Sequence, residues 1–218
     1  KIDRAILARV LRIGLPTAMQ VITMSLAEVA VLFLVNRFGS DATAAYGAVN
    51  RVVAYVQFPA MSIGITASIF GAQAIGAGRV GTLGAIARTG ILMNLVLTGS
   101  LVLLAYLFSG TIIGLFITNA HVVEMAQTLL HIMLWSVIIY GMSTVLSGLM
   151  RASGTVLVPI GVTMFCIIAV QVPVAWTLSH LIGLDGVWIG YPAAFLTMLA
   201  LQTSYYRLVW RKKPIRRL

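Results

Sequence analysis

Glu28 is the only charged residue between Ile13 and Asn36. By insertion scales, an acid at the centre of a bilayer-spanning helix costs about 2.5–3.5 kcal/mol, so such a residue faces a cavity or a partner rather than lipid. Its helical neighbours fit that placement. Thr17, Gln20, Met24 and Glu28 recur at steps of three or four and form one polar stripe, with Ser25 beside it. One reading is a hydrogen-bonded acid that locks helix packing. The functional reading is a carboxylate that lines a watery cavity and exchanges a proton or a cation. Gln20, Tyr140 or Ser143 would add neutral oxygens, but no second acid is at hand. Hard cations such as sodium favour oxygen-rich sites, and a single carboxylate is thin for sodium yet sufficient for a proton. Proton coupling is therefore expected ahead of sodium, and no metal beyond a sodium ion at Glu28.

Further candidates lie in other apolar runs. Asn50 and Gln57 share a face two turns apart, ahead of Pro59, which removes a backbone donor. Glu124, Gln127, His131 and Trp135 fall on one face; His131 is either a packing histidine or a titrating cavity residue. Tyr140 and Ser143 follow on the same run. Met24 and other methionines would suit a cavity that accepts varied shapes, although any one of them reads first as a packed or lipid-facing residue. Gly64 and Gly71 read as points of close helix contact, and Arg51 as a side chain that snorkels at a helix end. His121, His131 and His180 have no ligand spacing with each other or with Cys166, and no phosphate-binding loop with its lysine occurs. No cofactor is expected. A membrane enzyme would need a nucleophile or metal set that the pattern does not offer, and a channel would need a filter or charged ring.

The elements that position these residues follow from composition. Hydrophobic residues make up 60% of the chain and charged residues 9%, against about a quarter charged in soluble domains. Runs of about 20 apolar residues are the length a bilayer requires. Six helices are predicted: Ile13–Asn36, Tyr46–Ile75, Leu83–Phe108, Val122–Met150, Val156–Ile182 and Val187–Trp210. Gly39 would end the first in a left-handed cap, with Ser40 or Asp41 capping the next. "AIGAGRVG", "RASG" and "GLDG" read as turns, and "TIIGLFI" as an outer loop or helix end. The fold class is all-α and polytopic: a six-helix lobe over 13–210, a basic lead-in over 1–12 and a basic tail over 211–218. All basic residues except Arg37 and Arg51 fall on the side of the termini, which places both termini in the cytoplasm. The net charge of +10 is thus topology and lipid contact rather than nucleic-acid binding.

Five stretches carry a resemblance: "GLPTAMQ", "SLAEVAVLFLVNRFGSDATAAYG", "GAQAIGAG", "SGLMRASGTVLVP" and "GLDGVWIGYP". Together they resemble the C-terminal half of multidrug and toxic compound extrusion (MATE) transporters over nearly the whole chain. The resemblance implies helices seven to twelve of a twelve-helix antiporter in the bacterial cytoplasmic membrane, with an N-terminal six-helix lobe as partner. It also implies export of small organic cations in exchange for protons or sodium. Glu28 falls where one branch of the family holds a coupling acid on helix seven. That branch also has an aspartate on helix ten; here "IIYGMSTVLSG" offers only Tyr140, Ser143 and Thr144. The alternative in the wider superfamily is a lipid-linked oligosaccharide flippase, which would carry more basic residues in its cavity than Arg51 supplies.

Overall fold

The computed structural model describes residues 4–212. The helices there are α1 (Arg4–Asn36), α2 (Ser40–Gly76), α3 (Leu83–Leu107), α4 (Ser109–Gly114), α5 (Ala120–Met133), α6 (Ser136–Ala152), α7 (Leu157–Phe165), α8 (Val172–Ile182) and α9 (Leu184–Leu208). A π-helical turn, Cys166–Gln171, joins α7 to α8. Because α5 continues into α6 and α7 into α8, six segments are long and apolar enough to cross a membrane. They are Gly14–Asn36, Ser40–Gly76, Val80–Leu107, Ala120–Ala152, Leu157–Ile182 and Leu184–Lys212. Phe33, Phe58, Phe70, Leu103, Leu107 and Leu181 are exposed around the bundle. Water would not tolerate so much apolar surface, whereas hydrocarbon solvates it.

The tightest seam joins α2 to α6. In lipid, helices associate through close backbone approach rather than hydrophobic expulsion, which selects small residues. A Cβ on Gly64 would stand 2.8 Å from Thr144 Oγ1, and one on Gly148 would strike the Gly64 carbonyl. Gly71 meets Leu149 in the same way, at 2.9 Å. The expected role of Gly64 and Gly71 as contact points is what the packing displays. Two apolar clusters flank this seam: one around Val31, Val49, Leu130 and Trp188, the other around Ala74, Leu149, Tyr206 and Trp210.

The fourth span is broken between α5 and α6. In an unbroken helix the Trp135 N–H would donate to the His131 carbonyl four residues earlier. Instead it donates to the Tyr106 hydroxyl at 3.1 Å, and that hydroxyl donates to the His131 carbonyl at 3.1 Å. A side chain inserted into the ladder in this way is a recognised cause of a helix kink.

Four sequence expectations change at the helix ends. Ser40 and Asp41 do not cap α2: its N-cap residue is Gly39, and no side-chain cap bond is made there. Gly39 has φ 102° and ψ 177°, an extended mirror-image conformation open to glycine rather than a left-handed helical cap. The corner is tied by Thr43, whose hydroxyl donates to Asn36 Oδ1 at 2.7 Å. The second helix starts six residues before Tyr46, because "SDATAA" is helix-compatible and Asp41 favours the dipole of its first turn. The lead-in is helical from Arg4 and continuous with the first span. Residues 1–3 and most of the basic tail (213–218) lie outside the described residues.

Candidate functional site

Two neighbouring cavities open on one face of the lobe. The first, about 310 Å³, is lined by Glu28, Asn50, Gln57, Ser136, Gln171 and Tyr191 among others. The second, about 400 Å³, takes Gln20, Ser143, Ser147, Arg151 and Gln202. Met24, Gln57, Tyr140 and Met198 line both and so form the wall between them. Among the described residues, Glu28 is the acid of the first cavity and Arg151 the base of the second.

The wall of the first cavity is braced from behind. The Tyr46 and Tyr191 hydroxyls lie 2.8 Å apart in a hydrogen bond, and Tyr46 stacks on the fully buried Trp188 at 5.5 Å and 12°. Glu28 is close enough for its charge to act on both hydroxyls, and Asn50 adjoins the one on Tyr46. Tyr140 is packed against Phe195 at 5.0 Å, and Arg151 is near enough for its charge to act on the hydroxyl. Arg151 is half-buried and donates from Nη2 to Gln20 Oε1 at 3.4 Å.

Most of the residues singled out from sequence converge here. Glu28, Met24, Asn50, Gln57 and Tyr140 meet in the first cavity, and Gln20 and Ser143 in the second. The expected Gln20 and Ser143 oxygens are therefore not in the Glu28 cavity; Asn50, Gln57, Ser136, Gln171 and Tyr191 surround it instead. His131 lines neither cavity. Its exposed ring meets Tyr106 edge-on at 5.1 Å and 80°. The break that Tyr106 enforces separates the α5 face from the α6 face, so the stripe from Glu124 to Trp135 does not continue inward. Gln127 packs near Gly110 instead. Arg51 is exposed and lines neither cavity; Arg151 is the cavity arginine.

Gln171 was not singled out from sequence, although a signal stands two residues after it. Pro173 has no N–H to offer the carbonyl four residues back, and its ring crowds that carbonyl. The ladder widens just before it, with the Val172 N–H donating to the Ile167 carbonyl five residues back. Such π turns insert one extra residue and recur at functional sites. Here the turn ends on Gln171, a buried residue on the cavity wall.

Comparison with known proteins agrees with this architecture. The MatE family matches residues 16–177. The chain is 48% identical, over its whole length, to the "Probable multidrug resistance protein YoeA" of Bacillus subtilis, covering 48% of that protein. It is 26% identical to the "Multidrug export protein MepA" of Staphylococcus aureus, over 95% of this chain and 46% of that one. Among solved structures, the Vibrio cholerae MATE transporter VcmN in its bent form superposes with a TM-score of 0.87 at 18% identity. That likeness covers 96% of this chain and 48% of the other. The chain spans about half the length of the curated relatives it matches. It is an integral membrane protein that belongs to the MATE family of transporters and corresponds to one six-helix half of such a protein.

Proposed function

We propose that this chain is the C-terminal lobe of a secondary antiporter that expels organic cations across the bacterial cytoplasmic membrane, coupled to proton entry at Glu28. The observation that carries this reading is the position of Glu28: an acid on the open face of the lobe, lining a cavity whose other polar groups are neutral. Such a site holds either a proton or a cationic group. Protonation from outside neutralises the carboxylate and weakens its hold on a cationic drug; deprotonation inside restores it. Transport follows when the two arrangements of the lobes differ in proton affinity. The basic-residue asymmetry supports cytoplasmic termini, and on this reading the open face receives the N-terminal lobe.

The neutral oxygens around Glu28 support a second coupling ion, sodium, since a hard cation benefits from several such ligands. The flippase alternative calls for a basic cluster, and among the described residues Arg151 stands alone in the cavities. The test is Glu28→Gln in the full transporter, with drug efflux driven in turn by a proton gradient and by a sodium gradient. Efflux should disappear while protein levels hold. Undiminished efflux reduces Glu28 to a packing residue, and wild-type efflux that needs sodium alone replaces the proton.

A further inference from the structure

The second cavity contains a cluster of unmet polar atoms. Ser147 Oγ, Arg151 Nε and Gln202 Oε1 are buried without a hydrogen-bond partner, and all three residues line this one cavity. Ser147 and Gln202 are 5% and 1% exposed. Unpaired polar groups this deep are costly and rare in native structures. Because all three residues line one cavity, their unmet atoms describe the partner that a group entering there would supply. The guanidinium calls for an oxyanion, with Nε still available after Nη2 has met Gln20. The Gln202 carbonyl calls for a donor, and the Ser147 hydroxyl serves either. Among the described residues, no acid lines this cavity to supply the anion.

We propose that Arg151, Ser147 and Gln202 form a subsite for the carboxylate of a zwitterionic solute, distinct from the cation site at Glu28. The two charges are set apart by the geometry of α1. Gln20, the Arg151 contact, and Glu28 are eight residues apart on one helix, about 12 Å at 1.5 Å rise per residue. The shared wall of Met24, Gln57, Tyr140 and Met198 is the only division between the cavities that their linings define. A molecule with its cationic and anionic ends separated by a distance of that order reaches both. This assignment rests on the exporter reading for the direction of movement but not for binding.

The test uses the full-length transporter containing this chain, purified in detergent, and two fluorescent probes read by anisotropy. Rhodamine 110 carries a free carboxylate; rhodamine 123 is its methyl ester and a cation. Arg151→Gln should weaken rhodamine 110 by about tenfold to a hundredfold, as loss of a charge-assisted bond does, and rhodamine 123 by less than about threefold. Arg151→Lys, which keeps the charge and loses the fork, should recover part of the rhodamine 110 affinity. Should Arg151→Gln not fold, Ser147→Ala removes only an unpartnered hydroxyl and should weaken rhodamine 110 alone, by about twofold to fivefold. Equal losses for both probes, no change for rhodamine 110, or no binding of it by the wild type would overturn the subsite. Repeating the titration in phosphatidylcholine nanodiscs with and without phosphatidylglycerol identifies the source of the oxyanion. Competition by phosphatidylglycerol that Arg151→Gln removes gives the subsite to a lipid phosphate and overturns the solute carboxylate. If Glu28→Gln leaves efflux intact while Arg151 still separates the probes, the exporter chemistry fails and the subsite stands.

Discussion

Tyr106 completes a helix to which it does not belong: its hydroxyl accepts the Trp135 N–H and passes the bond on to the His131 carbonyl, both at 3.1 Å. The fourth span is thereby divided without proline or glycine at the break. Tyr106→Phe removes the bridge and leaves the two backbone groups either unpaired or forced to close on each other. Either outcome should destabilise the protein by about 1–3 kcal/mol. In the full transporter this reads as an apparent Tm lowered by a few degrees, followed by tryptophan fluorescence. An unchanged melting curve would show that the break is held by packing alone.

Pro173 offers a reciprocal experiment. Pro173→Ala restores a backbone donor in the fifth span, allowing the wide turn at Cys166–Gln171 to revert to a regular ladder. Loss of the extra residue rotates Gln171 off the wall of the Glu28 cavity. Thermal stability should hold or rise while gradient-driven efflux falls. Efflux at the wild-type level would mean that Gln171 takes no part in the site.

Orientation can be read with two introduced cysteines after Cys166, which is fully buried, is changed to alanine. Ser40 and Ala77 are both exposed and lie at opposite ends of α2. Ala77 is a better position than its neighbour Gly78, whose φ of 73° would strain any side chain. With the termini in the cytoplasm, an impermeant thiol reagent should label Ser40→Cys in intact cells and Ala77→Cys only after permeabilisation. The opposite pattern inverts the topology.

The spans, their turns and the Glu28–Asn50–Gln57–Tyr140 constellation were legible because lipid demands long apolar runs and makes every polar exception visible. Legibility failed wherever a distant side chain decided local geometry. The face containing His131 presumes a regular helix, and Tyr106, on another span, interrupts it. Gln171 needed the π turn to reach the wall, a consequence of Pro173 that apolar periodicity does not register. Arg151 sits at a span end, where positive charge is ordinarily topological; only the fold turns it toward Gln20. Hydropathy puts the start of α2 late because its first turns are polar, and hydropathy reports solvent preference rather than helix.

The helix that carries the acid is held unevenly. Its C-terminal half enters the core through Ala27, Val31, Leu34 and Val35, whereas Leu15, Met19, Val21 and Ile22 toward its N-terminus are exposed on the lobe. α1 is thus seated in the core along its C-terminal part, and Glu28 follows directly on Ala27 in that seat. Eight residues back along the same helix, the Gln20–Arg151 hydrogen bond at 3.4 Å joins α1 to the second cavity. One helix thus brings Glu28 to the first cavity and Gln20 to the second, so any shift of α1 at the acid bears on the Arg151 contact as well.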